Sequence, residues 1–184
     1  MSGVRRVVVG VSGSPASVRA LRIAAAHARR DNAPLVAVHA WSPPGGDLAE
    51  GQPAAPERRL IWKRAAAQRL QEAIDSAWGG SPAGVSIERA IVRGRPAAVL
   101  LELADSADDV LVVGTGRRGT LTRFWRGRVA RYCLAHARCM VLAVPPPAMD
   151  RHARDRMSGW LFRHRELTAE RVMGEVAKLA PGSR

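Results

Sequence analysis

A chain of 184 residues, 47% hydrophobic and 24% charged, has the length and proportions of one folded soluble domain with some to spare; its 4% aromatics leave core packing to Ala, Val and Leu. Two cysteines, Cys133 and Cys139, are too few for a disulfide framework. The five-residue run Val7–Val11 is too short for a signal peptide, and nothing approaches the ~20 apolar residues of a membrane span, so a cytoplasmic protein is expected.

In chain order, Arg6 to Val11 reads as a strand, its Val7–Val11 stretch unbroken by polar residues, the pattern of a strand covered on both faces. Ser14-Pro15 supplies a helix N-cap and a proline at the first helical position. Val18, Leu21, Ala25 and Ala28 then recur at helical spacing up to Arg30, and Asp31-Asn32-Ala33-Pro34 breaks the helix. Leu35 to Trp41 reads as a second strand, and the Pro/Gly stretch from Ser42 to Pro56 as a long loop. A long helix is expected from Glu57 to Trp78, with Gly79-Gly80-Ser81-Pro82 ending it. Val85 to Val92 is a third strand, Ala97 to about Ala104 a helix, and Asp109 to Val113 a fourth strand. A helix from near Gly127 to about Ala137 and a strand from Cys139 to Val144 complete the series before Pro145-Pro146-Pro147.

The order βαβαβαβαβ implies an α/β domain built on a doubly wound, five-stranded parallel sheet with helices on both faces, over residues 1–147. Residues 148–184 form an extension. Met157, Trp160, Leu161, Val172, Val176 and Leu179 have helical spacing there, as for one or two helices packing on the domain or on a partner subunit; Asp150, Asp155, Glu166, Glu170 and Glu175 dilute the charge that a helix lying on a membrane surface would need. In doubly wound sheets ligands bind outside the carboxyl ends of the strands, where strand order reverses. The loops after Val11 and after Val113 both belong on that edge.

The second of these loops carries the charge. The formal total is +13, from 27 Arg and two Lys, and seven of those arginines lie between Gly114 and Cys139 with no carboxylate among them. Such a stretch attracts nucleotide, nucleic acid or acidic lipid; the arginine content as a whole also fits nothing more than a genome rich in G and C. Arg126 and Arg128 flank the start of a helix, where the dipole disfavours cations unless an anion binds. The alternative is a solvated basic face screened over about 8–10 Å.

The segments VVVGVSGSPASVRALRIA, VAVHAW, VRGRPAAVLLELA, DDVLVVGTGRRG and GRVARYCLAHARCMVLAV, spread in order over residues 4–147, together resemble the universal stress protein family. Nucleotide-binding members carry Gly, two residues, Gly, nine residues, Gly and Ser or Thr, and an acid at the end of the first strand. Here Gly114 and Gly127 match the first and third glycines. Arg117 stands at the second, Arg128 at the Ser/Thr position and Ser12 at the acid. The resemblance implies an adenine nucleotide, ATP (with Mg) or AMP. Val113, Gly114, Arg117, Gly127, Arg128 and Val129 would lie around its phosphates, and Gly10, Val11, Ser12 and the Ala40 backbone would face base and ribose. It also implies a homodimer through the strand Cys139–Val144. A lost serine hydroxyl bond forfeits about 0.5–1.5 kcal/mol, which an arginine on the same phosphate offsets with about 1.5–3 kcal/mol.

Two other readings stay open: a stress protein that binds no nucleotide and acts as a protein-interaction module through its basic face and C-terminal helices, and a nucleic-acid-associated protein. No catalytic residue is assigned, since no positioned general base is visible; at most a slow ATP hydrolysis is expected. No metal site is assigned either, because Cys133, His136 and Cys139 lack a fourth ligand. His27 and His39 read as structural, and Asp105, Asp108 and Asp109 as a helix-to-strand turn on the opposite edge. Phe124 and Trp125 would stack on a base, anchor the arginine loop in the core, or meet a partner subunit.

Overall fold

In a computed structural model, residues 3–43, 56–80, 82, 84–116 and 128–147 are described. The expected C-terminal helices, and Arg117 and Gly127 of the arginine loop, lie outside them. The chain divides into two compact units, Met1–Ser42 with Ala66–Pro147 and Pro43–Ala65 with Ala148–Arg184. The first holds the sheet.

Its elements are β1 (Arg6–Gly10), α1 (Pro15–Arg30), β2 (Leu35–Trp41), α2 (Pro56–Trp78, entering this unit at Ala66), β3 (Ile87–Arg93), α3 (Pro96–Leu103), β4 (Asp109–Gly114), α4 (Arg128–His136) and β5 (Met140–Val144). All pairings are parallel and the strand order is β3-β2-β1-β4-β5. The chain therefore builds outward from β1 to β3 and then reverses to place β4 on the other side of β1. β3 begins two residues later than the periodicity suggests: the first bond joining it to β2 runs from the Leu35 amide to the Ser86 carbonyl, so Val85 precedes the ladder.

Alternation along each strand sorts the core into two layers. Val7, Val9, Leu35, Ala37, Val110 and Val112 meet Ala20, Leu21 and Ala24 of α1 and Leu70 and Ile74 of α2. On the other face Val8, Val36, Val38, Leu111 and Val113 meet Val99 and Leu100 of α3 and Ala130 and Cys133 of α4. Strands buried on both faces cannot show alternation in sequence, which is why they read as continuous Val runs. With so few aromatics, small side chains set the spacing: five of the buried residues of α1 are alanines, and the helix lies close against the sheet.

The amino edge of the sheet is closed by charge. Asp109, 1% exposed, opens β4; its Oδ2 lies 3.3 Å from the Arg6 guanidinium and accepts the Ser106 amide at 3.2 Å, while Arg5 Nε approaches Oδ1 at 3.2 Å. Arg6 also reaches Asp105 at 2.9 Å and donates to the Leu103 carbonyl at the end of α3. The acid cluster thus fastens β1 to β4, as a helix-to-strand turn on this edge should.

Candidate functional site

At the carboxyl edge the chain leaves β1 through Val11, Ser12 and Gly13 and enters α1. Gly13 has φ of +76°, a conformation that favours glycine and turns the chain into the helix. Ser14 caps α1: its Oγ accepts the Ser17 amide at 3.3 Å, with Pro15 at the first helical position. Ser17, buried, returns the favour by donating to the Ser14 carbonyl at 2.9 Å and accepting the Ser12 amide at 3.2 Å. Ser12 is exposed, and its hydroxyl donates to Ser14 Oγ at 3.1 Å. The loop is held by hydroxyls throughout, with no carboxylate in it.

β1 and β4 run side by side up to this loop, Gly10 opposite Val113. Gly114 follows, and a Cβ built there would come within 2.7 Å of the Ala16 carbonyl carbon and the Ser17 amide nitrogen. Its lack of a side chain lets the end of β4 lie directly on the first turn of α1. Beyond it Thr115 donates to the Val144 carbonyl twice, from the amide at 2.7 Å and the hydroxyl at 3.2 Å. Arg19 of α1 donates to the next two carbonyls, of Pro145 and Pro146, at 3.2 and 3.3 Å. These bonds fix the chain as it leaves β5.

The sequence-derived site residues fall into three sets. Gly10, Val11, Ser12, Val113 and Gly114 are together at the β1/β4 end; Ala40 is the last residue but one of the neighbouring β2, two residues past Val38, the partner of Gly10. Val11 and Val113 are 4% and 2% exposed with their side chains in the core, so only their backbones are available to a ligand. Arg128, exposed, opens α4, and Val129 follows, half-buried on the α3/α4 layer. Arg117 and Gly127 lie outside the described residues.

Three helices, α1, α3 and α4, begin on this edge, and none has an acid in its first turn. Each helix start carries roughly half a positive charge. Together with Arg95 before α3 and Arg128 on α4, they make the edge electropositive. Among the described residues this edge presents helix-start amides and arginine side chains, groups that suit an anion.

Sequence reading missed the part played by His39. It is 7% exposed on β2, and its Nδ1 lies 2.8 Å from the Val11 carbonyl oxygen, so Nδ1 carries the proton. Burial lowers its pKa, opposed by that bond, with a further lowering from Arg69. Cys133 is fully buried and burial pushes its thiol up to about 11, which leaves it inert. Among the described residues no cluster of three or more His, Cys, Asp or Glu is placed to hold a metal ion. A shallow depression at the opposite edge, between Leu101, Asp105, His136 and Arg138, lies away from the strand ends that form the site.

Comparison with known proteins converges on one family. The model described as the universal stress protein family matches residues 3–145. Universal stress protein Rv2005c of Mycobacterium tuberculosis is 34% identical over 142 residues, covering 74% of this chain and 44% of that protein. Universal stress protein Rv2623 of the same organism is 37% identical over 119 residues, covering 61% of this chain and 36% of that protein. The chain thus spans less than half the length of the curated relatives it matches. Among solved structures, a universal stress protein in complex with cAMP is 29% identical, with a TM-score of 0.51 over 79% of this chain and 100% of that one. The Lactobacillus plantarum universal stress protein UspA, 19% identical with a TM-score of 0.54 over 78% and 99%, shares the fold. Five parallel strands in this order, two helical layers and a match over almost the whole of the sheet-bearing unit place the chain in the universal stress protein family.

Proposed function

We propose that this universal stress protein binds an adenine nucleotide, ATP or AMP, at the carboxyl ends of β1 and β4. The observation that carries the reading is the reversal of strand order between these two strands, flanked by three helix starts free of acids. The cAMP complex of the 29% identical relative supports the ligand class. In this reading Gly114, Arg117, Gly127, Arg128 and Val129 surround the phosphates, and Mg accompanies ATP. Gly10, Val11, Ser12 and the Ala40 backbone face ribose and base. Arginine supplies the phosphate contacts through forked N–H donors, which a serine hydroxyl cannot offer. The same reading takes the protein to be a cytoplasmic signalling or stress-response dimer that pairs its β5 edges, with residues 148–184 available to a protein partner.

Calorimetric titration with ATP, AMP and cAMP at two salt concentrations tests it. One-to-one binding is expected, weakened in Arg128→Glu by about 1.5–3 kcal/mol, roughly 10- to 150-fold, the worth of a hydrogen bond to a charged group. A folded protein that gives no heat with any of the three would sink the reading and leave the interaction-module alternative. Affinity for DNA or RNA that collapses with salt, without mononucleotide binding, would favour a nucleic-acid partner instead.

A further inference from the structure

The β1–β2 ladder ends in an unusual way. Backbone groups along a parallel strand point alternately to its two neighbours. On β2, the Pro34 and Val38 carbonyls accept from Val7 and Val11 of β1, while the Leu35 amide and the Trp41 carbonyl bond to Ser86 and Gly94 on the β3 side. By this alternation the N–H and C=O of Ala40 point toward β1. The next rung would run from the Ala40 amide to the Val11 carbonyl. It is not made: the register stops at Gly10 opposite Val38, and no backbone bond joins Ala40 to β1 among the described residues. The Val11 carbonyl is taken at 2.8 Å by the side chain of His39, one residue earlier on β2.

From this geometry we infer that His39 is a positioning residue, whose imidazole stands in for the last rung of the ladder and so leaves the Ala40 amide and carbonyl open to the edge of a ligand's base. The inference rests on the nucleotide reading above, which already turns the Ala40 backbone to the base, and deepens it by naming the side chain that keeps that donor and acceptor unpaired within the sheet. Val11 is held from both sides, its amide by the Val38 carbonyl and its carbonyl by His39. The chain can therefore turn away at Ser12 and Gly13 into α1 without leaving a buried carbonyl unpaired, which would cost free energy. Because the imidazole occupies the place of an amide donor, β1 and β2 diverge one residue sooner than the ladder alone would dictate.

Two variants separate the donor from the bulk. Asparagine places a side-chain N–H where Nδ1 stands, and leucine fills similar space without one. Amide hydrogen exchange at Ala40, followed by NMR on the nucleotide-free full chain, is read alongside ATP affinity. In His39→Leu the freed Val11 carbonyl should capture the Ala40 amide. Exchange at Ala40 should slow by about tenfold or more, and ATP affinity should fall by about tenfold, one good hydrogen bond's worth. In His39→Asn both should stay within about threefold of wild type. Unchanged exchange at Ala40 in a folded His39→Leu, or an Asn variant that behaves like the Leu variant, would overturn the assignment. Failure of the wild-type chain to bind nucleotide would refute the ligand half with the reading above; the exchange data would still decide whether His39 parts the strands.

Discussion

Gly114 shows how one residue can carry two meanings. In the sequence it is the first glycine of a phosphate-binding pattern; in the structure its missing side chain is what lets β4 touch the backbone of α1. Ala16 and Ser17 are main-chain neighbours in a helix and cannot step aside as a side chain would. Gly114→Ala should therefore destabilise the fold by about 1–3 kcal/mol as α1 is pushed outward, lowering Tm by roughly 2–12 °C. Thermal unfolding of the nucleotide-free protein checks this: an unchanged Tm would show that the glycine is there for a ligand alone. Gly10 makes the contrast, since a Cβ there would meet the end of the Leu100 side chain, which can rotate away. Glycine spacing in a sequence does not distinguish these cases, because the crowding comes from an element almost a hundred residues distant.

At the scale of elements, β5 is one of the two edge strands, paired with β4 alone among the described residues. The Val144 carbonyl faces β4, where Thr115 donates to it, so the N–H and C=O of Ala143 face outward by alternation. Met140 is 59% exposed and Ala143 is exposed beside it. If two copies join along this edge, Ala143→Pro removes an outward donor while leaving the β4 ladder intact. Sedimentation should then find a folded monomer where the parent is a dimer; a dimeric Pro variant would move the interface elsewhere. The helices tell a related story about legibility. The Ser14 cap, the proline at the start of α1 and the buried Val runs were readable because each is a local device with a local signature. The amino edge was less so. Asp109 looked like one of three turn acids, and only the packing of β1 beside β4 shows it buried between Arg5 and Arg6. His39 was read as structural, but nothing in VAVHAW says which carbonyl it serves, since that depends on where β1 leaves the sheet.

For the molecule as a whole, stability should depend on pH through His39. Its folded pKa lies below the ordinary 6.5, so the unfolded chain binds the proton more readily. Stability contributed by the neutral buried imidazole is present above pH 6.5 and is lost as pH falls from there toward the folded pKa. Urea unfolding between pH 7.5 and 5 should show the wild type losing more stability than His39→Asn; parallel curves would mean that the imidazole is not desolvated enough to matter.

The central place of the first strand has a consequence for how the chain is made. Arg6 and its partner Asp109 are separated by 103 positions, so β1 emerges from the ribosome long before β4 exists to flank it. At roughly 5–20 residues per second that interval is about 5–20 s. Once β2 has followed, the Val7–Val9 run has that single neighbour and one bare side until β4 is made, the kind of unpaired edge that invites aggregation. Arg5 and Arg6 stand immediately ahead of that run, and the charged pair meets its buried partner Asp109 only when β4 has been made.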